Sequence, residues 1–89
     1  MPQYLIERHI PGVECMSAEE LKSVARKSNS VLADLGEDIV WLHSYVVDGK
    51  TYCVYQAPDE ELILEHSRMT GFPCNRIIEI RHIISPATG

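Results

Sequence analysis

Glu7 and His9 stand two residues apart in the run YLIERHI, and on an extended chain that spacing carries both side chains to one side. A carboxylate oxygen and an imidazole nitrogen so placed can reach one cation together. His43 lies in a second run rich in Trp, Val and Tyr, next but one to Trp41, where a neutral imidazole is a ligand or a proton acceptor. His66 falls at helical spacing from Leu62, Ile63 and Met69, so its plain role is that of a satisfied core histidine. Its functional reading has it meeting the sheet near Cys53 and Ser44, where imidazole and thiolate would take a borderline-soft metal. Glu7, His9 and His43, with His66 second, are therefore the candidate metal ligands, and no residue is assigned a catalytic role. His82, near the end of the chain, reads as exposed.

Other chemistries are poorly served. Cys15, Cys53 and Cys74 are odd in number and widely spaced, without a CxxC, which disfavours both a disulfide framework and a thiolate zinc site. The absence of an MxCxxC loop argues against a soft-metal chaperone. No Gly-rich phosphate loop, HExxH or nucleophile triad is present. The net charge is −5, with acidic residues spread along the chain and no Lys/Arg stripe. Such a surface repels phosphate backbones and anionic lipid, so the expectation is no nucleic acid and no membrane. MPQYLIERHIPG interrupts any apolar signal core with Glu and Pro, which predicts a cytoplasmic protein.

The elements that must position these residues are written locally. A length of 89 residues suits one small core, and the division expected is a single domain over 1–84 with a flexible tail over 85–89. A strand over Gln3–Ile10 ends at Pro11-Gly12. Ser17 and Glu20 form an S-x-x-E capping box for a helix whose inward stripe is Leu21, Val24, Ala25, Ser28, Val31, Leu32 and Leu35, closed by Gly36. Asp48-Gly49 joins two strands and tolerates the positive φ angles of a type I′ turn, pairing Tyr45 with Tyr52 and Ser44 with Cys53. A second helix begins near Pro58 or Asp59 and closes at Gly71, before a last strand over Arg76–Ile84. The order β-α-β-β-α-β predicts an α+β ferredoxin-like sandwich, a four-stranded antiparallel sheet with both helices on one face.

Sorting the strands by parity sends Tyr4, Ile6 and Ile10, Val40, Leu42, Ser44 and Val46, Thr51, Cys53 and Tyr55, and Ile78, Ile80 and Ile84 toward the helices. The open face receives Leu5, Glu7 and His9, Ile39, Trp41, His43, Tyr45 and Val47, Lys50, Tyr52 and Val54, and Ile77, Glu79, Arg81 and Ile83. That face is too apolar to be left in water, which predicts a homodimer stacked sheet on sheet. Its polar members then form either an inter-subunit network, with Glu7 on Arg81, or a ligand site.

Three segments, YLIERHIPG, WLHSYVVDGKTYCVYQAP and EHSRMTGFP, resemble a small bacterial family of ferredoxin-like proteins, formerly of unknown function, whose representative is a nickel-responsive, nickel-binding dimer. The resemblance runs from Tyr4 to about Ile80, with Glu7, Ser44, Tyr45, Tyr52, Cys53, Tyr55, Glu61, His66, Gly71 and Pro73 at recurring positions. It implies a homodimer that binds divalent nickel, or another transition ion such as zinc, in metal response or sequestration; it does not assign the ligands. Competing classes are a dimeric α+β-barrel enzyme of the cofactor-free oxygenase, isomerase or cyclase kind, with Tyr45, Tyr52, His43 and Glu7 as acid, base and orienting groups, and a structural or interaction module without a ligand.

Overall fold

The computed structural model describes residues 1–89. Its elements are β1 (Gln3–His9), α1 (Ala18–Leu35), β2 (Val40–Val47), β3 (Lys50–Gln56), α2 (Glu60–Thr70) and β4 (Arg76–Ile80). The strands lie in the order β2-β3-β1-β4 with every neighbouring pair antiparallel. This is the ferredoxin-like arrangement, with β1 and β3 protected in the centre of the sheet.

Capping chemistry sets the helix ends. Ser17 Oγ accepts from the Glu20 amide at 3.1 Å, and Glu20 Oε1 accepts from the Ser17 amide at 3.2 Å, so two otherwise orphaned donors are satisfied reciprocally. Ser17→Ala is expected to lower the unfolding free energy by about 1 kcal/mol, read as a lower urea midpoint with an unchanged slope. Asp59 caps α2 by accepting from the Leu62 amide. At its other end Gly71 takes a left-handed conformation (φ 80°) and donates to the Ser67 carbonyl. The Phe72 amide then donates to Thr70 Oγ1, which keeps the chain close to the last turn of the helix.

The hairpin keeps the expected two-residue register, Val47 opposite Lys50, but not the type I′ turn. Only Gly49 has a positive φ (72°), and Asp48 does not. Both polar groups of Gly49 are tethered to the β1–α1 connection, its amide donating to Glu14 Oε1 and its carbonyl accepting from the Ile10 amide. Those bonds orient the turn.

Face assignments hold through the middle of the hairpin and fail at two places. A bulge between Trp41 and His43 places Trp41 opposite Tyr55 and Val40 opposite Gln56, which inverts the parity expected before it. Trp41 therefore packs on the helix side, where its Nε1 donates to Ser44 Oγ at 2.9 Å. Ile39 joins the core, and Val40 moves to the open face. In β4 the adjacent residues Ile77 and Ile78 are both apolar, so alternation alone does not choose between them. Pairing with β1 puts Ile77 opposite Ile6 and Ile78 opposite Leu5, turning Ile77 and Glu79 to the helix side and Ile78 and Ile80 to the open face. β4 stops at Ile80 rather than Ile84 because Ile80 already pairs with Gln3, the first residue of β1. Ile83 and Ile84 are exposed, and Pro86–Thr88 forms a short 3-10 turn capped by Ser85.

The core, Tyr4, Ile6, Ile39, Cys53, Tyr55, Ala57 and Ile63, is flanked by Leu32 and Leu35 of α1 and Leu62 of α2. The first half of α1 does not complete it. Ser28 is the only buried residue of that 18-residue helix, and Val24 remains 36% exposed although its stripe faces the sheet. Opposite it the sheet presents the small side chains of Ser44, Thr51 and Cys53, which do not reach across the gap.

Candidate functional site

On the open face, Glu7 is buried between its strand neighbours while its carboxylate holds two cationic or polar partners. His9 Nε2 lies 3.0 Å from Glu7 Oε1, and Lys50 Nζ lies 3.3 Å from the same oxygen. The hydrogen bond with His9, seconded by Lys50, holds the Glu7 carboxyl below its ordinary range. Arg81 is not its partner. It binds Glu79 two residues away along the chain, and Arg76 is the residue opposite Glu7 on β4.

The four candidate ligands do not converge within one chain. His43 is on the open face but on the edge strand β2, opposite Val54, with its ring edge-on to Tyr45 at 5.1 Å. One whole strand, β3, separates it from β1. His66 is on the other side of the sheet, fully buried under α2. Its Nε2 lies 3.2 Å from Ser28 Oγ, its ring is tilted against Tyr55 at 5.2 Å, and Nδ1 has no protein partner. Burial, reinforced by nearby Arg8 and opposed by the bond to Ser28, depresses the His66 pKa to about 4, so the ring is neutral at pH 7. The same burial pushes the Tyr55 phenol up. Cys53 is buried beside Thr51 Oγ1, at 3.7 Å, as a free thiol. No group of three or more His, Cys, Asp or Glu side chains is placed to hold a metal ion.

One residue of consequence escapes a sequence reading that concentrates on histidines. Arg8 is 2% exposed and points to the helix side, where its Nη1 donates to Ser67 Oγ at 2.9 Å and to the Pro73 carbonyl at 2.7 Å. Its guanidinium stacks over Phe72 at 5.9 Å. The signal was available, because alternation from Tyr4 and Ile6 reaches Arg8 and not its neighbours. Arg8 lies at one edge of a cavity of about 530 Å³ between α1 and the sheet, whose floor includes Trp41, Ser44, Thr51 and Cys53 and whose roof includes Leu21 and Val24.

A family model described as "Nickel responsive protein SCO4226-like" matches residues 4–80. The chain belongs to that family. A crystal structure of SCO4226 from Streptomyces coelicolor A3(2) is similar to it with a TM-score of 0.76 at 16% identity, over 92% of this chain and 99% of that chain. At that identity the likeness establishes the shared sandwich. No curated protein sequence matches the chain. No helix is long and apolar enough to cross a membrane. Membership of the SCO4226-like family raises the question of a nickel ion, and Glu7 with His9 offers two donor atoms side by side. The pair supplies one hard oxygen and one imidazole nitrogen, donors that suit divalent nickel; one chain supplies no third.

Proposed function

We propose that the protein binds divalent nickel in a metal response, on the open face of its sheet, as a homodimer. The observation that carries this reading is the Glu7–His9 pair, held at 3.0 Å on a face that also carries a broad apolar patch. Leu5, Tyr52 and Val54 lie at its centre, and Val40, Tyr45, Val47 and Ile78 are exposed around it, Tyr45 to 57%. Stacking two such faces about a two-fold axis removes the apolar surface from water. It also doubles the ligands, since each copy contributes Glu7 and His9 and offers His43 as a further nitrogen. Lys50 must leave Glu7 when the ion enters, which its half-exposed, flexible stem permits. The description of the family supports nickel as the ion, with zinc as the competitor by donor type.

Sedimentation and calorimetry with nickel chloride test this together. The expected result is a dimer at micromolar concentration that takes up nickel, with binding weakening on acidification because protons compete with the ion for its ligands. A Glu7→Gln/His9→Ala variant should lose at least tenfold in affinity, the order seen when a ligand set is disturbed. Unchanged nickel binding by that variant would remove these residues from the site.

A further inference from the structure

The cavity under α1 lies on the helix side of the sheet; Glu7 does not line it, His9 touches only its rim, and the nickel reading does not use it. We infer that it is a binding site for a small organic monocarboxylate with an apolar body.

Three observations point there. First, the space is of ligand size: about 530 Å³ is within the usual range for small-molecule pockets. The residues that should have closed it remain open, with Val24 36% exposed on the helix and Val46 44% exposed on the sheet. Second, its walls are mostly aliphatic or aromatic and include no Asp or Glu, although the chain carries 13 acidic residues against 8 basic ones. Third, the single arginine or lysine among them is Arg8, whose charge is uncompensated. It forms no ion pair, its hydrogen-bond acceptors are neutral, and its Nη2 is buried without any acceptor.

A guanidinium taken out of water without a counter-charge is unfavourable, and an anion brought beside it recovers that loss. Lys27 Nζ, 5.6 Å from the centroid of the same Phe72 ring, adds positive potential nearby. Apolar walls reject a free inorganic anion, and the positive end rejects a cation or a plain hydrocarbon. What remains is an amphipathic carboxylate, its head toward Arg8 and its body along Leu21, Val24 and Trp41. Nη2 of Arg8 has no acceptor, and a carboxylate is the partner best matched to that fork.

Trp41 lines the cavity and is the only tryptophan of the chain, so its fluorescence reports occupancy. Octanoate and benzoate, titrated into the full-length protein, are expected to shift the emission saturably, with octanol roughly tenfold weaker than octanoate because it lacks the charge-assisted bond. Ala25→Phe fills the cavity from α1 at a position where the helix tolerates it. It should abolish the octanoate shift while leaving the far-ultraviolet circular dichroism intact. Arg8→Gln should bring octanoate down to the affinity of octanol. Equal affinity for octanol and octanoate, no saturable shift with either carboxylate, or unchanged octanoate binding by Ala25→Phe would each overturn the assignment. These outcomes are read without metal and are independent of nickel binding.

Discussion

Acidification from pH 6.5 to 4 is expected to remove about 3 kcal/mol of stability through His66 alone. The group is a base whose folded pKa, about 4, lies below the ordinary imidazole value of about 6.5 that it regains on unfolding. Between those values the unfolded chain holds one proton more than the folded one, so stability falls as pH falls through the window and levels off below it. Each unit of difference is worth about 1.4 kcal/mol, which sets the size of the loss. The structural cause is a ring sealed under α2 against Tyr55, with Ser28 as its one hydrogen-bond partner. Urea unfolding at intervals between pH 4 and 7.5 measures it. His66→Gln should flatten most of the slope in that window while lowering stability at pH 7. If the variant retained the full slope, the titrating group would lie elsewhere.

Arg8→Ala is expected to destabilise the fold by about 3 kcal/mol at neutral pH. The substitution leaves the Pro73 carbonyl without its donor and Ser67 without its buried partner, and an orphaned buried polar group costs about 1–3 kcal/mol. It also removes the stem and guanidinium that pack on Phe72, enlarging a cavity already present. Relief from burying an unpaired charge works in the other direction and holds the net figure below the sum of those losses. For a domain of this length about 3 kcal/mol corresponds to a fall in Tm of roughly 12–24 °C. Arg8→Lys should recover only part of it, because an ammonium on a shorter reach lacks the planar fork that holds both acceptors. Thermal unfolding of the two variants beside wild type distinguishes these outcomes. A Tm within 3 °C of wild type for Arg8→Ala would show that water replaces the side chain without loss.

Both residues show why the ligand-like side chains differ in legibility. Alternation in YLIERHI already placed Glu7 and His9 on one side, and helical spacing already placed His66 inward, so their layers agree with the structure. Neighbourhood was less accessible. Nothing local shows that His43 lies across β3 from Glu7, or that His66 meets Ser28 and Tyr55, because those distances depend on how strands are ordered and where α1 lies over them.

Element order, the capping box at Ser17, the stop at Gly71 and the pairing of Tyr45 with Tyr52 are legible locally, since each rests on a backbone preference or a short-range hydrogen bond made within a few residues. The remaining assignments depend on long-range pairing. Only pairing with β3 introduces the bulge that turns Trp41 inward, and only pairing with β1 chooses Ile77 over Ile78, because either isoleucine would satisfy the local pattern. The open space under α1 arises in the same way. Leu21 and Val24 present a proper apolar stripe, but whether a stripe is buried depends on the size of what faces it, and here Ser44, Thr51 and Cys53 are too small to meet it.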